Sequence, residues 1–150
     1  MLVVIQRVKK AEVIISGKLY SKIGKGLLVL VSIEDADKDD DVKWLCNKIV
    51  NLRVFDDDSG VANLSVKDSG SEIMVVSQFT LHAQTKKGNR PSYIKASKPE
   101  IAIPIYNQFV NTLNIVLGKE ICTGVFGSEM QISLINDGPL TIIIDSKNKN

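Results

Sequence analysis

Leu2-Val3-Val4-Ile5-Gln6-Arg7-Val8, Ala11-Glu12-Val13-Ile14-Ile15 and Leu27-Leu28-Val29-Leu30-Val31-Ser32-Ile33 are three apolar runs near the start of the chain, punctuated by Ser16-Gly17 and Gly24-Lys25-Gly26. Each has the length of a strand, is rich in β-branched residues and stops at residues that favour turns. The chain therefore opens as β-structure.

Helical periodicity begins only afterwards. Val42, Leu45, Cys46, Ile49 and Leu52 share one face at 3.6-residue spacing behind an acidic lead-in, which predicts a helix over 39–51. The run Asp56-Asp57-Asp58-Ser59-Gly60, between Leu52–Phe55 and Val61–Val66, reads as a hairpin connection. Ile73–Leu81 predicts a long central strand, and His82–Ser97, without period, a long functional loop. Ile105, Phe109, Leu113 and Val116 predict a second helix from Pro99 to Leu117, kinked early by Pro104 and ended by Gly118. Strands return at Ile121–Phe126, at the alternating Met130, Ile132 and Leu134, and at Leu140–Ile144. The expected fold is α+β, a mostly antiparallel β-barrel or rolled sheet with two packed α-helices, in one domain over residues 1–150 with a flexible tail at 146–150.

Composition narrows the class. An apolar fraction of 44% and a charged fraction of 24% are those of a soluble globular chain, and no apolar span is long enough for a bilayer. The opening residues lack a signal-peptide pattern, so the expected location is cytoplasmic, with no membrane partner. Cys46 and Cys122 form no CxxC pair, which argues for reduced thiols rather than disulfides or zinc. A net charge of +2 does not by itself announce nucleic-acid binding.

Reactive motifs are sparse. Asp35, Asp37 and Asp39 have calcium-loop spacing, but Asp40 stands where that loop needs Gly and Cys46 where it needs Glu. No metal and no cofactor is expected. There is no GxSxG or HExxH, and His82 is the only histidine. If Ile73–Leu81 continues as a strand, Thr80 and His82 share a face, which permits a hydroxyl–imidazole dyad lacking an orienting acid.

Three polar segments remain. In Ser77-Gln78-Phe79-Thr80-Leu81 a buried strand turns abruptly polar, either to satisfy nearby backbone or to line a pocket. Asn136-Asp137-Gly138-Pro139 reads as a turn between two strands, and sequence does not reveal the isomer of the Gly-Pro bond. Lys86, Lys87, Arg90, Lys95 and Lys98, with Tyr93 among them, form either a solvated loop or a patch for RNA phosphates.

Taken together, Ser77-Gln78-Phe79-Thr80-Leu81 and Asn136-Asp137-Gly138-Pro139-Leu140-Thr141 resemble the SQxxL and NxGPxT motifs of the D-aminoacyl-tRNA deacylases. The likeness extends through Ile5-Gln6-Arg7-Val8, Asn63-Leu64-Ser65, Gly88-Asn89-Arg90-Pro91-Ser92-Tyr93 and Thr123-Gly124-Val125-Phe126-Gly127. It implies a homodimer with two pockets at the interface, and D-aminoacyl-tRNA as substrate. Ser77, Gln78, Phe79 and Thr80 match the pocket wall, and Thr80 has also been read as a nucleophile. Phe126 matches an aromatic near the terminal adenosine. Gly138 and Pro139, with Thr141 closing their motif, match a cis-proline gate that enters the partner's pocket, and Arg7 matches the arginine that braces it. The resemblance further implies ester hydrolysis assisted by the 2′-hydroxyl of the tRNA. A wall that rejects L side chains by shape has nothing to exclude in glycine, which predicts some hydrolysis of glycyl-tRNA. Two other readings stand beside it, a sibling editing module that clears a small L-amino acid and a non-enzymatic RNA-binding β-barrel.

Overall fold

A computed structural model describes residues 1–150, and one strand organises it. That strand, β1 (Leu2–Ile15), is a single element where the sequence suggested two. Its first half pairs antiparallel with β3 (Gly26–Ser32) and its second half with β2 (Lys18–Ile23), a strand that no apolar run marks. Along its other edge lies β8 (Gln131–Asp145), also antiparallel. Beyond β3 come β6 (Glu72–Ser77) and the two-residue β7 (Cys122–Thr123), both in parallel pairings.

The order β2-β1-β3-β6-β7 nearly closes into a barrel, because Ser21 Oγ of β2 donates to the Thr123 carbonyl of β7 at 2.7 Å. β8 pairs only with β1, so its other edge is free. The expected hairpin exists as the short pair β4 (Phe55–Asp56) and β5 (Ala62–Leu64).

The helices, α1 (Asp39–Asn51) and α2 (Pro99–Leu117), have the bounds their periodicity predicts. Three aspartates lie in the first turn of α1, and the Asp41 carboxylate accepts from the Lys38 backbone N–H at 2.9 Å. Pro99 opens α2 where its missing N–H costs nothing, and Gly118 ends it at φ 81°, a left-handed conformation that glycine adopts freely. The helix continues through Pro104, which stands on its exposed side.

Both helices cover one sheet face. Val3 and Ile5 of β1, Leu27, Val29 and Val31 of β3, and Ile73 and Val75 of β6 pack with Leu45, Ile49, Phe109 and Leu113. The opposite face gathers a smaller cluster that includes Val8, Ala11, Val13, Leu28 and Met74. Residues of the same parity in β1 thus change face between Ile5 and Ala11. An irregularity between Val8 and Lys10 explains this, since one extra residue inverts the alternation.

The tail expected to be flexible is anchored at its start. Ser146 is buried and its Oγ accepts from the Met1 amine, while Lys147 Nζ meets Asp41 Oδ2 at 2.8 Å.

At the β3–β6 junction, a Cβ added to Gly26 would lie 2.0 Å from the Glu72 carbonyl oxygen. Gly26→Ala must therefore push two paired strands apart. It is expected to lower unfolding free energy by about 2 kcal/mol or more in urea titration, a cost typical of overpacking.

Candidate active site

β6 ends at Ser77, and Phe79–His82 form a short 3₁₀ turn rather than the continued strand that was expected. The next β3 residue beyond the last pair, Val31↔Ser77, is Ser32, which still pairs with Leu2 of β1 but has no β6 residue opposite it. The buried end of β3 and the residue after it instead hold the walls of a cleft residue by residue. The Val31 carbonyl accepts from the Gln78 N–H at 2.7 Å, Ser32 Oγ meets the Phe79 carbonyl at 3.2 Å, and the Ile33 carbonyl accepts from the Ser97 N–H at 2.9 Å.

That cleft encloses about 380 Å³ between Ser77, Gln78 and Phe79 on one side and Ser97, Lys98 and Pro99 on the other, with Phe126 also in its lining. Its size and mixed lining suit a small organic group with a few directed polar contacts. Phe79 and Tyr93 meet edge to face, ring centroids 5.1 Å apart, and Phe126 leans on Tyr106 at 5.4 Å. Tyr93 and Ser32 were missed as cleft residues. In the sequence Tyr93 stands out only as an aromatic among lysines, and Ser32 lies unmarked inside the apolar run Leu27–Ile33.

The 3₁₀ turn also removes the strand geometry that would permit a Thr80–His82 dyad. Strand alternation does not apply there, and Thr80 Oγ1 accepts from Gln78 Nε2 at 2.5 Å. His82 Nδ1 lies 2.5 Å from Ser32 Oγ, so its partner is Ser32 rather than Thr80. Burial pushes the His82 pKa below its ordinary 6.5, partly opposed by Glu34, Asp37 and Asp145. No group of three His, Cys, Asp or Glu side chains converges as a metal site.

The second motif lies elsewhere. Between the pairs Gln6↔Thr141 and Val8↔Asn136, β8 spends four residues, 137–140, against Arg7 alone. The expected turn between two strands is therefore a bulge inside one strand. Pro139 has no N–H for a ladder bond, and Gly138 sits at φ 128°, where side chains are rarely tolerated. The Gly138–Pro139 peptide bond is cis.

Two side chains clamp this bulge. Asn136 Nδ2 donates to the carbonyls of Arg7 at 2.9 Å and Leu140 at 3.0 Å. Arg7 Nε donates to the Asp137 carbonyl at 3.2 Å and lies 3.5 Å from its carboxylate, while Nη1 bonds the Val54 carbonyl. A Cβ on Gly138 would come within 2.8 Å of Arg7 Nη2. In the sequence Asn136 is marked only by its place in the motif, although an amide able to bond nearby backbone is the usual means of holding a turn. Thr141 is exposed and takes a long bond from Gln6 Nε2, 3.3 Å.

The structure thus forms two groups. Ser77, Gln78, Phe79, Phe126 and Lys98 share the cleft, with Thr80 tied to it through Gln78. Arg7, Gly138, Pro139 and Thr141 lie at the bulge on the outer strand, and none of them lines the cleft. Lys86, Lys87, Arg90 and Lys95 are exposed on the adjoining loop, whose ends are drawn together by the bridge Gln84↔Ser92.

As the single histidine, His82 can be titrated without ambiguity. Its imidazole resonances are expected to show a midpoint below 6.5. The folded state then binds this proton more weakly than the unfolded chain, so the residue's stabilising contribution is full above 6.5 and is lost as pH falls through the folded pKa.

Comparison with known proteins agrees across the chain. The model of the D-Tyr-tRNA(Tyr) deacylase family matches residues 4–145. Proteins named D-aminoacyl-tRNA deacylase are 66% identical in Flavobacterium psychrophilum, over 99% of both chains, and 65% identical in Parabacteroides distasonis, over 97% of both. A solved structure described as a c-Myc DNA unwinding element binding protein superposes with a TM-score of 0.92 at 41% identity, covering 97% of this chain and 98% of its own. Another, described as a probable eukaryotic D-amino acid tRNA deacylase, gives 0.82 over 95% and 97%, and at 15% identity it speaks for the fold alone. A family match over nearly the whole length, with relatives this similar, means that the chain belongs to the D-Tyr-tRNA(Tyr) deacylase family.

Proposed function

We propose that this chain is a D-aminoacyl-tRNA deacylase, hydrolysing the ester that joins a D-amino acid to tRNA, and that its working form is a homodimer with an active site at each end of the interface. The observation that carries the dimer is the division of the two motifs within one chain. From Gly138 to Ser77 the sheet must be crossed through β1 and β3, three strand spacings or roughly 14 Å, with a further displacement along the strands. The bulge lies in β8, whose outer edge pairs with no other strand of the chain and is open to a second molecule. A twofold arrangement would bring each bulge to the other chain's cleft.

In this reading the wall formed by Ser77, Gln78, Phe79 and Thr80 holds the aminoacyl ester, and Phe126 meets the terminal adenosine. Lys98 at the cleft, with Lys86, Lys87, Arg90 and Lys95 beside it, meets backbone phosphates. The partner's Gly138-Pro139 backbone is the chiral gate. With amino group and ester fixed, exchanging hydrogen and side chain on Cα drives an L side chain into the gate, whereas glycine has none to exclude. Glycine mischarged on tRNA(Ala) is accordingly a second substrate.

The arrangement of protons supports chemistry by positioning. Thr80 is engaged with Gln78 and His82 with Ser32, so neither forms a nucleophile–base pair with the other. The 2′-hydroxyl of the terminal adenosine then assists water attack while protein groups orient the ester. A sibling module clearing a small L-amino acid would share the cleft but hydrolyse the L-ester. For a simple RNA-binding barrel, loop lysines would matter and the bulge would not.

Matched D- and L-tyrosyl-tRNA separate these readings. The D-ester is expected to be deacylated at least about 100-fold faster, the scale on which misplacement in an oriented site acts, and equal rates would refute the proposal. Thr80→Ala should keep activity within about tenfold, short of the roughly 100-fold or larger loss expected of a reacting group. A tRNA ending in 2′-deoxyadenosine should be hydrolysed far more slowly, and an unchanged rate would exclude substrate assistance.

A further inference from the structure

Three successive residues at the end of β3 hold the cleft, and only the middle one does so through its side chain. Ser32 is 2% exposed and has two partners from the 3₁₀ turn, the Phe79 carbonyl at 3.2 Å and His82 Nδ1 at 2.5 Å. A hydroxyl carries one proton. If Ser32 donates to His82, its contact with the Phe79 carbonyl sets lone pair against lone pair. If His82 carries its proton on Nδ1 and donates to Ser32 Oγ, the serine proton is free for Phe79, and both contacts become hydrogen bonds.

We propose that His82 and Ser32 are positioning residues for the deacylation site: a two-step relay, His82 Nδ1–H to Ser32 Oγ and Ser32 Oγ–H to the Phe79 carbonyl, fixes the main chain of the cleft wall. The relay spans the point at which β6 leaves the sheet, where Gln78–Thr80 has lost its ladder and is attached to β3 by the Gln78 N–H and this side-chain link. It turns the Phe79 carbonyl toward the protein interior and thereby sets how residues 78–80 face the cleft. The histidine is not a general base for Ser32, whose buried hydroxyl has its proton committed to a main-chain carbonyl. The pairing joins residues 50 apart in the chain, so no local motif announces it.

The kinetic side of this inference rests on the deacylase reading, whereas the tautomer does not. Long-range ¹H–¹⁵N NMR of the wild-type protein at neutral pH is expected to show His82 as the Nδ1–H tautomer, and an Nε2–H tautomer would overturn the relay. Ser32→Ala and His82→Ala should each lower kcat for D-tyrosyl-tRNA about tenfold, and the double variant should lose no more than either single one, since groups acting as a unit are non-additive. His82→Asn returns an N–H close to the place of Nδ1–H and should restore kcat to within about twofold of wild type, with melting temperatures confirming that each variant is folded. Additive losses, wild-type kcat in His82→Ala, or a folded His82→Asn no better than His82→Ala would each refute the relay. A wild-type protein that shows the Nδ1–H tautomer yet leaves D-tyrosyl-tRNA intact would refute the deacylase reading alone.

Discussion

Arg7 stands midway along β1, the strand that pairs with β2, β3 and β8, and its guanidinium is the point at which three parts of the molecule meet. It bonds the carbonyl of Asp137 in the bulge of β8 and that of Val54 in the segment after α1, and it occupies the space a side chain on Gly138 would need. Only 13% of its side chain is exposed, so these bonds act where water competes poorly. Removing a buried donor that serves two carbonyls leaves both without a partner, the more costly way to lose a hydrogen bond. With Asn136 bridging the base of the bulge, four residues that cannot follow the ladder are held to one course.

Fixing that course matters because of what the sheet does with its edges. On one side the sheet rolls from β2 to β7 and nearly closes through Ser21 and Thr123. β8 is left outside the roll with 15 residues along an unpaired edge that carries Ile135 and Ile143 partly exposed. Long free edges invite association unless something blunts them. Here the four-residue bulge interrupts the edge, which is therefore not a continuous flat ladder. Association at this edge would be specified by the bulge, and in the proposed dimer the same feature sets both assembly and stereochemistry.

Much of the fold was legible because local rules and tertiary packing agree. α1 and α2 have the predicted bounds, as apolar spacing, the acidic first turn, Pro99 and Gly118 all point the same way. Discrepancies arose where pairing overrides a local breaker. Lys9-Lys10 and Gly138-Pro139 looked like interruptions, yet β1 and β8 run through them because each supplies the other with a partner on both sides of the irregularity. The 3₁₀ turn at Phe79–His82 was hidden for the opposite reason, since its residues fit a strand and only the end of β6 pairing releases them. The two motifs were visible, but their separation was not, because distance within a sheet follows from strand order. The His82–Ser32 contact left no trace in sequence.

The central claim is that a working site takes its wall from one chain and its gate from another. Complementation tests it most directly. A chain carrying Gln78→Ala and a chain carrying Gly138→Val, each inactive alone, would be co-expressed under different tags and the mixed dimer isolated. Random pairing makes half the dimers mixed, each with one intact site of two, so the unfractionated mixture should recover about a quarter of wild-type D-tyrosyl-tRNA deacylation and the isolated mixed dimer about half. Continued inactivity of the mixed dimer would mean that wall and gate act within one chain, and would contradict the account.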